Sequence, residues 1–331
     1  MKDILNHLFS YKTLSEKEAK EVLTTIASGG YNDTQIAVFL GVFQMRAITL
    51  EELMGFRSAL KNLAIQIDLT DFETIDLCGT GGDGKNTFNI STLTSFIVAG
   101  TGAKVTKHGN YGVSSTCGSS NVLEYFGYKF SNNRDKLLKE LNKAGICFLH
   151  APMFNPAMKN VAPVRKQLGL KTFFNILGPM INPANPNNQL IGVYSLELAR
   201  MYSYVYQTTD CNYTILHNLD GYDEISLTAP FKAISRRREE LLEPRDLGLN
   251  KILPDEILGG SDIQESARLF KSILENEGTQ QQNSVVAANA GMALRILHPQ
   301  LSLSDSVSVA QDSLDSGKAL KAFNQLMELN S

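Results

Sequence analysis

The chain has 331 residues, longer than a single hydrophobic core usually grows, so we expect two lobes or one large α/β domain. Charged residues make up 20% of the sequence and the formal net charge is −3, so no global field selects a nucleic acid or a membrane. The first residues lack the pattern of a secretory signal, no stretch is long enough to span a bilayer, and the four cysteines show no C-x-x-C spacing. We therefore expect a cytoplasmic protein with reduced cysteines and no zinc site.

The N-terminal fifth of the chain has apolar residues at helical spacing, which predicts roughly four short helices. Ser15 with Glu18, and Thr49 with Glu52, match the capping box, in which a hydroxyl and a glutamate satisfy free N–H groups of the first turn. The glycine pair at 29–30 predicts a helix end. These signals indicate a small α-helical lobe.

From residue 74 the pattern changes to short apolar runs separated by helical segments. That alternation is typical of a larger α/β lobe with a central parallel-rich sheet. The runs lie at residues 75–78, 103–106, 146–149 and 190–194.

The division of the chain follows from these patterns. We expect a helical domain over residues 1–68, completed by a segment near 165–188, and an α/β domain over 69–331. The turn-forming segment at 182–188 predicts a connection between the lobes. Later helices are expected at 261–276 and 284–297, with an exposed loop at 280–283.

A glycine-rich segment at 78–85, Cys-Gly-Thr-Gly-Gly-Asp-Gly-Lys, follows the first apolar run. Its glycines let backbone N–H groups approach an anion without a Cβ in the way. Residues 89–92 then begin a predicted helix that runs to Ala99, and a helix N-terminus attracts a phosphate. The spacing is neither that of a Walker loop nor G-x-G-x-x-G. A phosphate site is predicted, with a purely structural strand-to-helix turn as the alternative.

A second segment, at 107–115 and 117–120, combines a cation, a carboxamide and hydroxyls, which suits a phosphate-bearing ligand. Lys107 is predicted to stabilise a departing pyrophosphate, and a solvated surface lysine is the alternative. For His108 alone, a hydrogen-bonded structural histidine is favoured over a catalytic one.

Two adjacent acids, Asp223 and Glu224, follow an apolar run at 213–217. Adjacent acids are usually solvated, but Mg²⁺ takes one or two carboxylates plus substrate phosphates. We predict that this pair binds magnesium.

Arg165 lies in a helix predicted over residues 158–169, near its C-terminal end. Its planar guanidinium matches a carboxylate and would orient an acidic acceptor, while the alternative is a cation that satisfies helix-end carbonyls. The apolar segment at 173–179 suits a flat aromatic ring or a place in the core.

Together these segments resemble the anthranilate phosphoribosyltransferases, which catalyse the second step of tryptophan synthesis from chorismate. The resemblance runs in order along essentially the whole chain. The matching motifs lie at 79–83, 87–92, 107–110, 113–115, 118–120, 162–165, 175–179, 223–224 and 289–295.

The resemblance implies a helical lobe and an α/β lobe, a homodimer formed through the helical part, and an active site at the hinge. It implies transfer of the phosphoribosyl group of phosphoribosyl pyrophosphate to the amine of anthranilate, with Mg²⁺ held by Ser91, Asp223 and Glu224. Lys107 would stabilise the leaving group, and no general base is assigned. Anthranilate would contact Gly79, Asn110 and Arg165. The donor would be surrounded by Gly79, Gly82, Asp83, Thr87, Asn89, Ile90, Ser91, Thr92, Lys107, His108, Gly109, Asn110, Tyr111, Gly112, Val113, Ser114, Ser115 and Ser119.

The sequence departs from this family pattern at three positions. Tyr111 and Gly112 stand where the family commonly has Arg and a small residue, and Asn121 stands where it often has Asp. These differences bear on donor affinity and loop order rather than on the reaction.

Two other functions stay open from the sequence. A pyrimidine nucleoside phosphorylase shares the architecture and the glycine-rich loop, although the paired acids and Arg165 favour a diphosphate donor. A non-catalytic relative that binds nucleic acid would need a basic groove, which the net charge does not suggest.

Overall fold

The computed structural model describes residues 1–112 and 116–330. They form two compact units, Met1–Gln66 with Ala151–Pro183, and Ile67–His150 with Ala184–Ser331. The helices are α1 (Lys2–Phe9), α2 (Glu16–Ala27), α3 (Asp33–Met45), α4 (Leu50–Leu63), α5 (Ile90–Gly100), α6 (Ser119–Tyr125), α7 (Arg134–Ala144), α8 (Ala151–Phe154), α9 (Ala162–Leu168), α10 (Leu196–Gln207), α11 (Ile263–Leu274), α12 (Gln280–Leu297), α13 (Leu303–Asp315) and α14 (Lys318–Glu328). The strands are β1 (Thr74–Gly79), β2 (Lys104–Gly109), β3 (Ile146–His150), β4 (Asn188–Gly192), β5 (Asn212–Asn218), β6 (Phe231–Ser235) and β7 (Glu239–Leu242).

The first unit is helical, and its helix starts confirm the predicted capping. The side chains of Ser15 and Thr49 each accept a backbone N–H of the first turn, and the glutamate three residues on accepts the backbone N–H of the capping residue. Asn32 and Gln35 form the same capping box at the start of α3. Phe173 stacks on Phe56 with ring centroids 4.4 Å apart, so this part of the 173–179 segment belongs to the core of the unit. Short 3₁₀ turns complete it at Pro156–Asn160, Phe173–Ile176 and Gly178–Ile181.

The second unit contains one seven-stranded sheet, in the order β3-β2-β1-β4-β5-β6-β7. The first five strands in this order are parallel, and β6 and β7 join as antiparallel neighbours, so the predicted parallel-rich α/β class is confirmed. The chain leaves β1 for β2 and β3 on one side and returns to β4 on the other. This reversal makes the carboxyl ends of β1 and β4 a topological switch point, where open α/β sheets bind their ligands.

Two helix boundaries differ from the prediction. The predicted loop at 280–283 is wrong, because these residues form the first turn of α12, with the Thr279 hydroxyl accepting the N–H of Gln282 at 3.2 Å. The helix predicted over 158–169 is divided at Val161 into a 3₁₀ turn and α9. Among the described helices, none has both the length and the apolar character needed to cross a bilayer.

Candidate active site

The candidate site lies at the switch point of the sheet, where Gly79 of β1 pairs with Gly192 of β4. The loop that carries the predicted metal acids lies directly against these two strand ends. A Cβ on Gly79 would lie 2.4 Å from the Asp223 Oδ2, and one on Gly192 would lie 1.5 Å from the Asp223 carbonyl oxygen. Only glycines at both positions allow this close approach.

The glycine-rich loop turns around one of these carboxylates. Gly81, Gly82 and Gly84 have positive φ angles of 62°, 78° and 75°, which glycine adopts without strain. The N–H of Gly81 donates to the Asp223 Oδ2 at 2.7 Å, and the N–H of Lys85 donates to the Asp83 Oδ1 at 3.0 Å. These N–H groups of the loop therefore donate to the carboxylates of Asp223 and Asp83, and the contact of the loop with a phosphate stays a prediction.

The start of α5 faces the second acid. The N–H of Ser91 donates to the Glu224 Oε1 at 2.9 Å, and the Asn89 side chain donates to the Cys117 carbonyl at 2.9 Å. Ile90 and Thr92 have buried side chains, and Ile90 belongs to the hydrophobic core. Ile90 can therefore offer a ligand only its backbone.

Thr87 is held by a segment that the motifs did not indicate. It forms an isolated β-bridge with Leu258, and the N–H of Gly259 donates to the Asn86 carbonyl at 2.6 Å. A Cβ on Gly259 would lie 2.6 Å from the Thr87 carbonyl oxygen, so the two backbones touch. An isolated pair of glycines at 259–260 after an apolar stretch is the only signal for this support in the sequence.

Three carboxylates meet at the site. The side chains of Asp83 and Asp223 are hydrogen-bonded to each other, and Glu224 is the next residue in the chain after Asp223. Burial raises the pKa of Asp223 to about 7, with the negative charge of Asp83 adding to the rise. Burial also raises the pKa of Glu224 well above its usual value, and repulsion from Asp223 and Asp83 adds to it. A cation bound here would reduce the repulsion between these three carboxylates.

The donor set suits a magnesium ion that shares its ligands with a phosphate. Within 1–112 and 116–330, no group of three or more His, Cys, Asp or Glu side chains is arranged to hold a metal ion by itself. Mg²⁺ is rarely held in such all-protein cages and usually binds through one or two carboxylates, waters and substrate phosphates. Asp223 and Glu224, beside the hydroxyl-bearing Ser91, are donors of this hard-oxygen class.

Lys107 is buried rather than solvated, with 2% of its surface exposed. Its Nζ donates to the His108 carbonyl at 3.3 Å, and its positive charge opposes the rise in the pKa of Glu224. Burial raises the pKa of the neighbouring Cys78 thiol to about 12, so this cysteine is neutral. Lys107 is therefore a fixed positive charge beside the acid cluster.

The segment after β2 packs against the start of α6. His108 is buried, and its backbone N–H donates to the Asp76 Oδ1 at 3.1 Å; the structural role of its imidazole ring stays a prediction. Gly109 lies so close to Ser119 that a Cβ there would be 2.3 Å from its hydroxyl. Asn110, Tyr111 and Gly112 are exposed. The predicted donor contacts Val113, Ser114 and Ser115 lie outside the described residues.

Arg165 belongs to the helical unit. Its Nη2 donates to the Asn175 Oδ1 at 3.1 Å, and its guanidinium carbon lies 5.3 Å from the centre of the Phe174 ring. Burial lowers the pKa of the guanidinium. These contacts orient the side chain with a carboxamide and an aromatic face, which suits an aromatic carboxylate.

Comparisons with known proteins bear on this arrangement. The glycosyl transferase family α/β domain matches residues 71–320, and the helical bundle domain of that family matches 2–64. The chain is 57% identical to the anthranilate phosphoribosyltransferase of Christiangramia forsetii, over 100% of this chain and 99% of the relative. It is 58% identical to that of Flavobacterium psychrophilum, over 100% of both. The chain belongs to the anthranilate phosphoribosyltransferase family.

Solved structures agree with this membership. The anthranilate phosphoribosyltransferase of Thermus thermophilus matches with a TM-score of 0.90 and 29% identity, over 98% of both chains. That of Saccharomyces cerevisiae, in complex with phosphoribosyl pyrophosphate and magnesium, matches with a TM-score of 0.89 and 25% identity, over 98% of this chain and 96% of the yeast chain. Full-length relatives with this name favour the transferase over the pyrimidine nucleoside phosphorylase and the nucleic-acid-binding relative.

In this member of the anthranilate phosphoribosyltransferase family, the acid pair is also supported by a residue for which the sequence predicted no role. Asn289 of α12 is 3% exposed, its Oδ1 accepts the N–H of Ile225 at 3.1 Å, and its Nδ2 donates to the Ile225 carbonyl at 2.9 Å. The amide thus binds both sides of the residue that follows Glu224. The signal in the sequence is one carboxamide inside the apolar run at 285–294.

Proposed function

We propose that the chain transfers the phosphoribosyl group of 5-phosphoribosyl 1-pyrophosphate to the amine of anthranilate and releases pyrophosphate, as the second step of tryptophan synthesis from chorismate. The observation that carries this proposal is the meeting of a glycine-lined loop, a buried lysine and an acid pair at one switch point, in a chain of this family. The cytoplasmic homodimer implied by the family resemblance belongs to the same proposal.

The donor binds, in this proposal, to the glycine-rich loop, the start of α5 and the segment after β2. N–H groups of the loop and the N-terminal turn of α5 bind the diphosphate oxygens, which favours the charge that develops on the leaving group. Lys107 adds a positive charge that is already desolvated and so needs no reorganisation.

Magnesium is proposed to bind Asp223 and Glu224, with the Ser91 hydroxyl as a third donor. When bound, the ion supplies positive charge to the diphosphate. The chain itself contributes the placement of the acids, because Gly79, Gly192 and Asn289 fix the backbone that carries them.

The acceptor side needs no strong general base. An aromatic amine is neutral near pH 7 and already nucleophilic, so positioning accounts for much of the rate. Arg165 is proposed to bind the anthranilate carboxylate, and Gly79 and Asn110 are proposed as further anthranilate contacts. As the bond between C1 and the diphosphate breaks, the ribose acquires oxocarbenium character and the amine nitrogen bonds to C1 with inversion. The ammonium that results is acidic and releases its proton to water, which leaves the neutral product and pyrophosphate.

The test of the function is the fluorescence of anthranilate. We expect the signal to fall when the purified chain receives anthranilate, phosphoribosyl pyrophosphate and Mg²⁺ together, and to stay constant when the donor is omitted or EDTA removes the metal. Phosphorolysis of thymidine, assayed in parallel, should be absent. A constant signal with all components, or thymidine cleavage in its place, would overturn the proposal.

The acceptor assignment predicts a selective defect in one Michaelis constant. Arg165→Ala should raise the anthranilate KM by about 10- to 100-fold, since a hydrogen-bonded ion pair is worth about 1.5–3 kcal/mol, and leave the donor KM near its original value. The neighbouring Lys166 is exposed, and Lys166→Ala should change neither constant. If the donor KM rises in Arg165→Ala while the anthranilate KM does not, Arg165 is misassigned.

A further inference from the structure

Asn121 joins two parts of the donor-site backbone through a single atom. Its Oδ1 accepts the N–H of Gly112 at 2.9 Å and the N–H of Gly118 at 3.0 Å. The residue lies in the first turn of α6, which anchors its position. One uncharged oxygen therefore holds together two peptides that are six residues apart in the chain.

The two backbone segments that Asn121 connects are in direct contact. A Cβ on Gly118 would lie 2.2 Å from the Gly112 nitrogen and 2.6 Å from the Tyr111 carbonyl carbon. The Asn110 carbonyl accepts both the N–H of Ser120, at 3.1 Å, and the hydroxyl of Ser119, at 3.3 Å. Residues 110–112 are thus held in place by contacts with the residues at the start of α6.

Tyr111 braces the same segment from the side. Its hydroxyl donates to the Glu124 Oε1 at 3.2 Å, and its ring packs edge-on against His150 at 4.9 Å. His150 is itself fixed, because its Nδ1 is hydrogen-bonded to the Ser120 hydroxyl at 2.9 Å and its ring stacks on Phe130 at 4.3 Å. The phenol ring, 39% exposed, packs on a rigid support and contributes no charge.

The charge of the acceptor at position 121 matters for an anionic ligand. A carboxylate there could accept the same two N–H groups, but it would place a negative charge about 3 Å from each of them, beside a diphosphate. The carboxamide makes the same bonds with no net charge. It therefore leaves the positive potential of the segment, including that of Lys107, available to the ligand.

We propose that Asn121 and Tyr111 are positioning residues of the donor site, which hold Asn110–Gly112 against α6 through side chains that carry no charge themselves. This rests on the proposed function, because it concerns the affinity of that site for phosphoribosyl pyrophosphate. Donor affinity then depends on both side chains although neither carries a phosphate-binding charge.

The test compares three variants in donor and acceptor KM and in calorimetric binding of phosphoribosyl pyrophosphate with Mg²⁺. Asn121→Ala should weaken donor binding about tenfold, because two N–H groups lose their acceptor, with a smaller rise in the anthranilate KM because Asn110 of the same segment is a proposed acceptor contact. Tyr111→Ala should weaken it in the same direction, and the double variant should show less than the product of the two effects, since both hold one segment. Asn133→Ala, which removes an exposed helix cap elsewhere in the unit, should leave donor binding unchanged.

Asn121→Asp separates positioning from charge. It keeps the acceptor, so its donor defect should shrink as added salt screens the new charge, whereas the defect of Asn121→Ala should be insensitive to salt. The inference is overturned if donor binding is unchanged in Asn121→Ala, or if the effects of Asn121→Ala and Tyr111→Ala multiply independently. Turnover by the wild type would still support the proposed function in either case. Absence of turnover in the wild type would instead overturn the function.

Discussion

Replacing Asp223 by Asn and Glu224 by Gln should lower magnesium-dependent turnover by about 10³-fold or more, because the loss of several kcal/mol of charge stabilisation has that effect on a rate. The circular dichroism spectrum should stay unchanged. The amides keep the shape of the acids. In the wild type, repulsion from Asp83 helps to raise the pKa of Asp223 to about 7, and a neutral amide at position 223 removes that repulsion.

A matched pair of acids provides the control for this double variant. Asp255 and Glu256 are also adjacent, in the same unit, on a 3₁₀ turn at Pro254–Ile257. Asp255→Asn with Glu256→Gln should leave turnover and its magnesium dependence unchanged. Full activity in the Asp223 and Glu224 variant would contradict the assignment of the metal acids.

Gly192→Ala should lower turnover by about 10²-fold or more and destabilise the α/β unit by about 1–3 kcal/mol. The added methyl group would lie 1.5 Å from the Asp223 carbonyl oxygen and 2.7 Å from its carbon, so the acid loop or the strand must move. Overpacking costs about 1–3 kcal/mol, and a displacement of about 1 Å in an active site costs about 10² in rate. Steady-state kinetics and thermal unfolding measure the two effects.

Gly41→Ala serves as the control because a Cβ there meets nothing within 4 Å and alanine favours the interior of α3. It should leave turnover unchanged and raise the stability of the helical unit slightly. If Gly192→Ala behaves in the same way, the close contact between β4 and the acid loop does not constrain the site.

The strands were accessible from the sequence because buried parallel strands appear as short apolar runs. The start of α12 was not, since Gln280–Asn283 is a polar run whose helical state depends on the Thr279 cap. The division at Val161 has a local cause. Pro163 has no N–H to donate to the preceding turn and is accommodated in the first turn of a helix, so a new helix begins at Ala162.

The candidate site was accessible only in part. Ser91 and Asp223 follow strands and Lys107 lies within one, in the second half of β2, so their motifs could be recognised separately. Their packing could not, because the contact of Gly192 with Asp223 and the hydrogen bonds of Asn289 to Ile225 join residues far apart in sequence. Gly112 and Asn121 were noted in the sequence as two separate departures from the family pattern. Their hydrogen bond could not be predicted either, because it joins residues that are not neighbours in the chain.

The strand order also has a consequence for synthesis on the ribosome. β1 emerges early, but one of its edges pairs only with β4, and the acid loop and Asn289 follow later still. Each nascent chain therefore carries an unpaired, apolar β1 edge while more than a hundred further residues are translated. The hydrogen bonds of Asn289 to the acid loop can form only after α12 has left the exit tunnel, so a chain truncated before α12 lacks this support.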